Sequence, residues 1–159
     1  MSRLYRQSRN IEASVIDRIQ NILIEAGFTV GVEKTFTNAY KVELPVIVVR
    51  VGDTIHEFAE LSTTNTKRTV LVLIDIFASS DGQRLDLKDC LISYLKSGID
   101  YYEYSTGKGE FQTKTKNGRM SVFSILDKQV FPDVNKSTLD EHDKWRHLIT
   151  LNLKRGTIE

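Results

Sequence analysis

Arg68-Thr69-Val70-Leu71-Val72-Leu73-Ile74-Asp75-Ile76-Phe77-Ala78-Ser79-Ser80-Asp81-Gly82-Gln83 is the stretch on which the fold turns. Its first part is an almost unbroken apolar run, which suits a strand with both faces covered. Its end changes character. Ser80 followed three residues later by Gln83 is a capping-box pattern that opens a helix. That helix is predicted from about Asp81 to Lys96, with Gly98 as its stop. A strand apolar on both sides, leading directly into a helix, places the chain in the α+β class.

Upstream, Thr54 to Ser62 reads as the antiparallel partner of Arg68 to Ala78, with Thr64-Asn65-Thr66-Lys67 as the turn between them. Gly52-Asp53 predicts a further turn, separating this hairpin from the apolar strand Val46 to Val51 that Pro45 opens. Before a polar link, Phe28 to Phe36 is rich in β-formers. Asn10 is the predicted N-cap of a first helix, which Gly27 ends. Ile11, Val15, Ile19, Ile22, Leu23 and Ala26 form its apolar stripe.

Downstream, Ile99 to Tyr104 reads as a strand and Gly107-Lys108-Gly109 as a loop. Glu110 to Thr115 and Arg119 to Leu126 read as a hairpin around Asn117-Gly118. Lys144 to Lys154 alternates cleanly, with Trp145, His147, Ile149, Leu151 and Leu153 on one face. The expectation is a single domain over residues 1–159, with residues 1–9 as a flexible arm. Its sheet is mixed and mostly antiparallel, with two helices packed on it and a β-hairpin extension.

Composition supports ordinary folding. The chain has 159 residues, 40% hydrophobic and 27% charged, and a net charge of +1. Such a length can bury roughly two thirds of the unfolded surface without disulfide or metal. Near-neutral charge supplies no global attraction to nucleic acid or acidic membranes. No apolar run approaches the roughly 18 residues of a bilayer span, and no export signal is read at the start. Cys90, the only cysteine, reads as a small buried hydrophobe.

Five places in the sequence carry residues suited to chemistry. Asp75, a carboxylate inside an apolar strand, suggests a Mg²⁺-dependent nuclease, in which strand-borne acids hold the metal and a lysine polarises phosphate. The acid-x-Lys partner that chemistry needs, Asp86-Leu87-Lys88, falls on the predicted second helix, so Asp75 is expected to pair with an arginine or a neighbouring subunit. Asp140, Glu141, His142, Asp143 and His147 resemble a metal set, yet residues five apart on a strand face opposite ways. His56 lacks a nucleophile, and Ser105 to Gly109 lacks the first glycine and the following helix of a phosphate loop. No catalytic residue, metal or cofactor is assigned. Lys108, Lys114, Lys116 and Arg119, with Phe111 among them, read as a solvated hairpin with lysines guarding its edge, or in the sharper alternative as a candidate lumen or ring-stacking loop that meets the phosphates of passing DNA without reading sequence.

Assembly is the stronger signal. On a helical wheel, Leu85, Leu87, Cys90, Leu91, Ile92, Tyr94 and Leu95 span an apolar arc of roughly 220°, more than one sheet contact requires. Two helices also fall short of covering both apolar faces of the central strands. Leu87, Leu91, Tyr94 and Leu95 are therefore candidates for packing against a subunit or the sheet, and the chain is expected to oligomerise.

The order of a helix from Asn10, a strand opened by Leu44-Pro45-Val46-Ile47-Val48, a long hairpin, and a helix after Ser79-Ser80-Asp81 resembles the tail-terminator proteins of long-tailed bacteriophages. Related neck proteins share the design. Residues 10 to 98 carry the likeness. It implies a homo-oligomeric, hexameric ring in the virion, assembled in the host cytoplasm, that caps the tail-tube protein and meets the head connector. The rival readings are the Mg²⁺-dependent nuclease and a monomeric adaptor domain.

Overall fold

A computed structural model describes residues 6–58, 66–104, 114–131 and 141–157. In chain order these form α1 (Gln7–Ala26), β1 (Gly31–Glu33), α2 (Phe36–Ala39), β2 (Val46–Phe58), β3 (Thr66–Ala78), α3 (Asp81–Leu95), β4 (Ile99–Tyr104), β5 (Lys114–Val130), a 3-10 turn (Glu141–Asp143) and β6 (Trp145–Thr157). The six strands make one sheet in the order β1-β2-β3-β6-β5-β4. Only β1 and β2 run parallel; the other neighbours are antiparallel. The fold is α+β, as the pattern of elements predicts.

The central strand behaves as its sequence demands. Val70, Val72, Ile74, Ile76 and Ala78 of β3 face α1 and α3, together with Ile47, Val49, Ile149, Leu151 and Leu153 from the flanking strands. These side chains are essentially fully buried. At roughly 1.5–3 kcal/mol per large aliphatic side chain, this layer dominates folding. Ser80 caps α3, its Oγ accepting from the Gln83 amide at 3.2 Å, while Gln83 Oε1 accepts from the Ser79 amide at 2.8 Å.

Among the described residues, the opposite face of the sheet is covered at one end only. Ala39 packs there with Val46, Val48 and Phe77, joined by Phe36, Val42 and Leu44. The sequence reading took this stretch for strand and polar link. In fact β1 has three residues, and Thr35 caps the short α2 by accepting from the Asn38 amide. Phe36 and Leu44 are then free to turn down onto the sheet.

Both expected glycine turns are β-bulges within long strands. Val51 pairs with Val72 and Thr54 with Val70, so Gly52 and Asp53 stand opposite Leu71 alone. A Cβ at Gly52 would approach the Leu71 carbonyl to 3.4 Å. Asn117 and Gly118, with Gly118 at φ 97°, stand opposite Tyr101 alone. An extra small residue, one of them left-handed, suits a bulge as well as a turn. The predicted hairpin of Glu110–Thr115 with Arg119–Leu126 is thus replaced by a β4–β5 pairing. The expected extension is part of the sheet, and its connection at 105–113, like the predicted turn residues Thr64 and Asn65, lies outside the described residues.

Asn10 does not cap α1. The helix begins at Gln7, so residues 7–9 are not part of an arm, and Arg6 at the N-cap makes no side-chain capping bond. Asn10 and Ser14, one turn apart, instead close the free edge of β4. Ser14 Oγ accepts from the Tyr102 amide at 3.0 Å and donates to the Tyr102 carbonyl at 3.4 Å. Asn10 Oδ1 accepts from the Tyr104 amide at 3.3 Å. Backbone groups that an edge strand would otherwise present to another chain are taken by the helix.

Ser14→Ala should cost about 1 kcal/mol, because it strands a part-buried amide and carbonyl of Tyr102. Urea unfolding should show a lower midpoint with an unchanged slope, and faster thioflavin-positive aggregation should accompany the opened edge.

Candidate functional site

Asp75 lies at the centre of the partly covered face, 3% exposed. Register puts it between Val48 of β2 and Leu148 of β6. Arg50, two residues along β2, reaches it at 2.9 Å, and Arg146 of β6 at 3.5 Å. Both guanidiniums lie over aromatic rings: Arg50 is 4.5 Å from the Phe36 centroid and Arg146 is 4.7 Å from that of Phe77. The arginine partner expected for Asp75 is present twice.

This arrangement opposes metal chemistry. Two cations on one carboxylate offset the charge that Mg²⁺ would need. Asp86 and Lys88 belong to α3, which packs on the other side of the sheet. Six-stranded sheet therefore separates the two halves of the candidate nuclease motif. Among the described residues no three His, Cys, Asp or Glu side chains are grouped to hold a metal.

The late acidic and histidine set is also dispersed. His142 donates from Nε2 to the Val42 carbonyl at 2.8 Å, and Asp143 accepts from the Tyr40 hydroxyl. Both tie the 3-10 turn to the cover over Phe77. His147 points to the helical side, where Arg84 Nη1 donates to its Nδ1 at 2.7 Å and its Nε2 meets Asp127 at 2.8 Å. Because arginine only donates, Nδ1 must be the acceptor and Nε2 carries the proton, leaving a neutral ring. Burial pushes the His147 pKa below its ordinary value, outweighing the Asp127 carboxylate, while the hydrogen bond from His147 and the nearby Lys88 hold Asp127 below the usual carboxylate range. Asp140 lies outside the described residues. His56 is exposed beside Thr54.

The apolar candidates on α3 divide. Leu87, Leu91 and Leu95 are fully buried against the chain's own sheet, and Tyr94, Cys90 and Ile92 pack half-buried at the border of that core. Sheet and α1 together absorb most of the wide arc; Leu85 stays exposed. Burial also raises the Cys90 pKa, the opposite of what a reactive thiolate requires.

The described basic candidates each lie beside a carboxylate. Lys114 meets Asp17 at 3.0 Å, while Lys116 and Arg119 share Asp100 at 3.4 and 2.9 Å. Arg119 also donates to the Ser97 carbonyl. Lys108 and Phe111 lie outside the described residues.

Comparison of the sequence with protein-family models and with curated proteins finds no match.

The sequence predicts an incompletely covered apolar face on the central strands, but not which residues extend it beyond Asp75. Along the same sheet face, Leu73 lies beside Thr150 and then Leu126, and Leu148 lies beside Lys128. Ile55 continues it past the β2 bulge. Leu126 is 67% exposed and Ile55 58%. The signal was latent in the even-numbered residues of β6, where Leu148 interrupts a face otherwise read as polar.

Two outcomes follow from this geometry. Asp75→Asn should destabilise the fold by about 2–3 kcal/mol, below the range for a fully buried pair because Arg50 is partly solvated; chemical denaturation measures it. For His147, the unfolded chain takes up a proton as pH falls through 6.5 while the folded ring resists it. Stability should be fully present above that pH and decline below it, by at most about 1.4 kcal/mol per pH unit. Thermal melts between pH 7.5 and 5 should show the decline, and His147→Gln should flatten it.

Proposed function

We propose that this chain is a non-enzymatic structural protein that forms a ring at the head-proximal end of a bacteriophage tail. The ring caps the tail tube and joins it to the head connector. The observation that carries the reading is the half-covered sheet. Its helical side is complete, whereas its other side exposes Leu126 and Ile55 beside half-buried Leu71, Leu73 and Leu148. A contiguous apolar area of this kind on a folded domain favours a protein neighbour.

Two further features support assembly over catalysis. Asp75 is held by Arg50 and Arg146, and His147 is held between Arg84 and Asp127, so both engage structural partners. The elements α1, β2 after Leu44-Pro45, β3 and α3 keep the sequence order on which the phage resemblance rests, with one strand, β2, where that resemblance has a strand and the first arm of a hairpin. Contact with DNA is left out of the proposal for Lys114, Lys116 and Arg119, because nearby carboxylates offset their charge.

Light scattering coupled to size exclusion should give a multimer, and negative-stain images should show closed rings with six subunits. Added to assembling tail-tube protein, the rings should bind tube ends and halt growth. A monomer that persists at high concentration and ignores the tube protein would overturn the proposal, and Mg²⁺-dependent DNA cleavage lost in Asp75→Asn would replace it with the nuclease.

A further inference from the structure

We propose that Asn117 is a site of spontaneous covalent modification, at which the side-chain amide is lost to attack by the Gly118 backbone nitrogen. The inference stands apart from the ring reading and concerns a single chain.

Of the chain's seven asparagines, Asn117 alone precedes a glycine. The reaction needs the next residue's amide nitrogen to reach the asparagine side-chain carbonyl carbon. A Cβ on that residue obstructs the approach, whereas glycine has none and adopts backbone angles closed to other residues. The fold keeps the pair within reach of solvent. Both residues are exposed, in the β5 bulge opposite Tyr101, and Gly118 sits at φ 97°. Exposure counts because a base must remove the Gly118 amide proton. Asn10, Asn21 and Asn38 lie in helices and Asn152 lies in β6 between two paired strands, each before a residue that carries a Cβ.

The chemistry balances without oxidant, metal or cofactor. The Gly118 nitrogen bonds to Asn117 Cγ as its proton passes to hydroxide. The Cγ–Nδ2 bond then breaks and the amide leaves as ammonia with a proton from water, closing a five-membered succinimide. Water opens that ring at either carbonyl. Opening at Cγ gives aspartate; opening at the main-chain carbonyl gives isoaspartate, whose backbone runs through the former side chain and is one carbon longer.

Both products disturb the place where they form. Asn117 Nδ2 donates to Glu103 Oε1 at 2.8 Å across the β4–β5 pair. A carboxylate there has no proton to donate, and like charges across strands repel. Isoaspartate also adds length inside a bulge whose flanks are set by Lys116 opposite Tyr102 and Arg119 opposite Asp100. Tyr101 between them is buried, and its hydroxyl accepts from Asn10 of α1. Conversion therefore loosens the β4–β5 pairing and, through Tyr101, the packing of α1.

The test incubates the folded, full chain at mildly alkaline pH and maps it by mass spectrometry, with an isoaspartyl methyltransferase reporting isoaspartate. Asn117 should convert ahead of every other asparagine, releasing ammonia at a rate that rises with pH, and Asn117→Ser should abolish the isoaspartate signal. An intact Asn117 after prolonged incubation, or earlier conversion of another asparagine, would overturn the site. Urea unfolding should give a lower midpoint for the aged chain and, through charge alone, a smaller decrease for Asn117→Asp that added salt narrows. Unchanged midpoints in both would overturn the loosening of β4.

Discussion

The sheet has two apolar faces and, among the described residues, one layer of long helices. That constraint follows from β3, where Val70, Val72, Ile74 and Ile76 face one way while Leu71, Leu73 and Phe77 face the other. A strand so patterned is at home only where both sides are covered. Here α1 and α3 share the first side, and their joint cover explains why α3 needs so wide an apolar arc: Leu87, Leu91 and Leu95 reach the sheet while Ile92 and Tyr94 border the same core. On the second side, residues 36–44 close one end over Phe77. The remainder stays open among the described residues, and everything proposed about assembly descends from that asymmetry.

Polar residues buried in this framework fix its geometry. Asp75 would be costly alone among apolar neighbours; between Arg50 and Arg146 it cross-links β2, β3 and β6 across three adjacent strands. On the helical side Arg84 does the equivalent, bonding Asp81 within α3 and His147 on β6, which in turn meets Asp127 on β5. The neutral histidine between a donor and a carboxylate is a connector whose protonation state the fold selects. These clusters look like chemistry in a sequence, and in the structure each member is bonded across neighbouring elements.

Much of the architecture was legible before any coordinates, because its signals are periodic and long. The alternation of β6, the α3 capping box and the Gly27 stop each recur as read. The failures share a cause. Asn117-Gly118 and Gly52-Asp53 satisfy the local demand of a tight turn, but a bulge makes the same demand, namely a small extra residue or a positive φ. Which one forms depends on whether the flanking segments pair with each other or with a third strand, and that information is not local. Asn10 misled similarly: its capping chemistry is real, but its partners are the amide of Tyr104 and the hydroxyl of Tyr101, ninety-odd positions away. The Asp75 site was half legible, since a buried acid announces a need for cations without naming Arg50 and Arg146. The open surface was least legible, because Leu126 and Leu148 become neighbours of Leu73 only once the register of three strands is known.

Edges and faces then divide the labour of recognition. A sheet protein can associate through backbone at an edge or through side chains on a face, and this chain spends α1 side chains on suppressing the first at β4. Backbone pairing is tolerant of sequence, so leaving that edge open would admit many wrong partners. Face contact is selective, because aliphatic groups and charges must both match. The proposed ring, which must stop at a defined number of copies, would gain from that choice. Edge addition has no built-in limit, whereas a heterologous contact through faces would fix the rotation between successive copies and so decide whether an assembly closes.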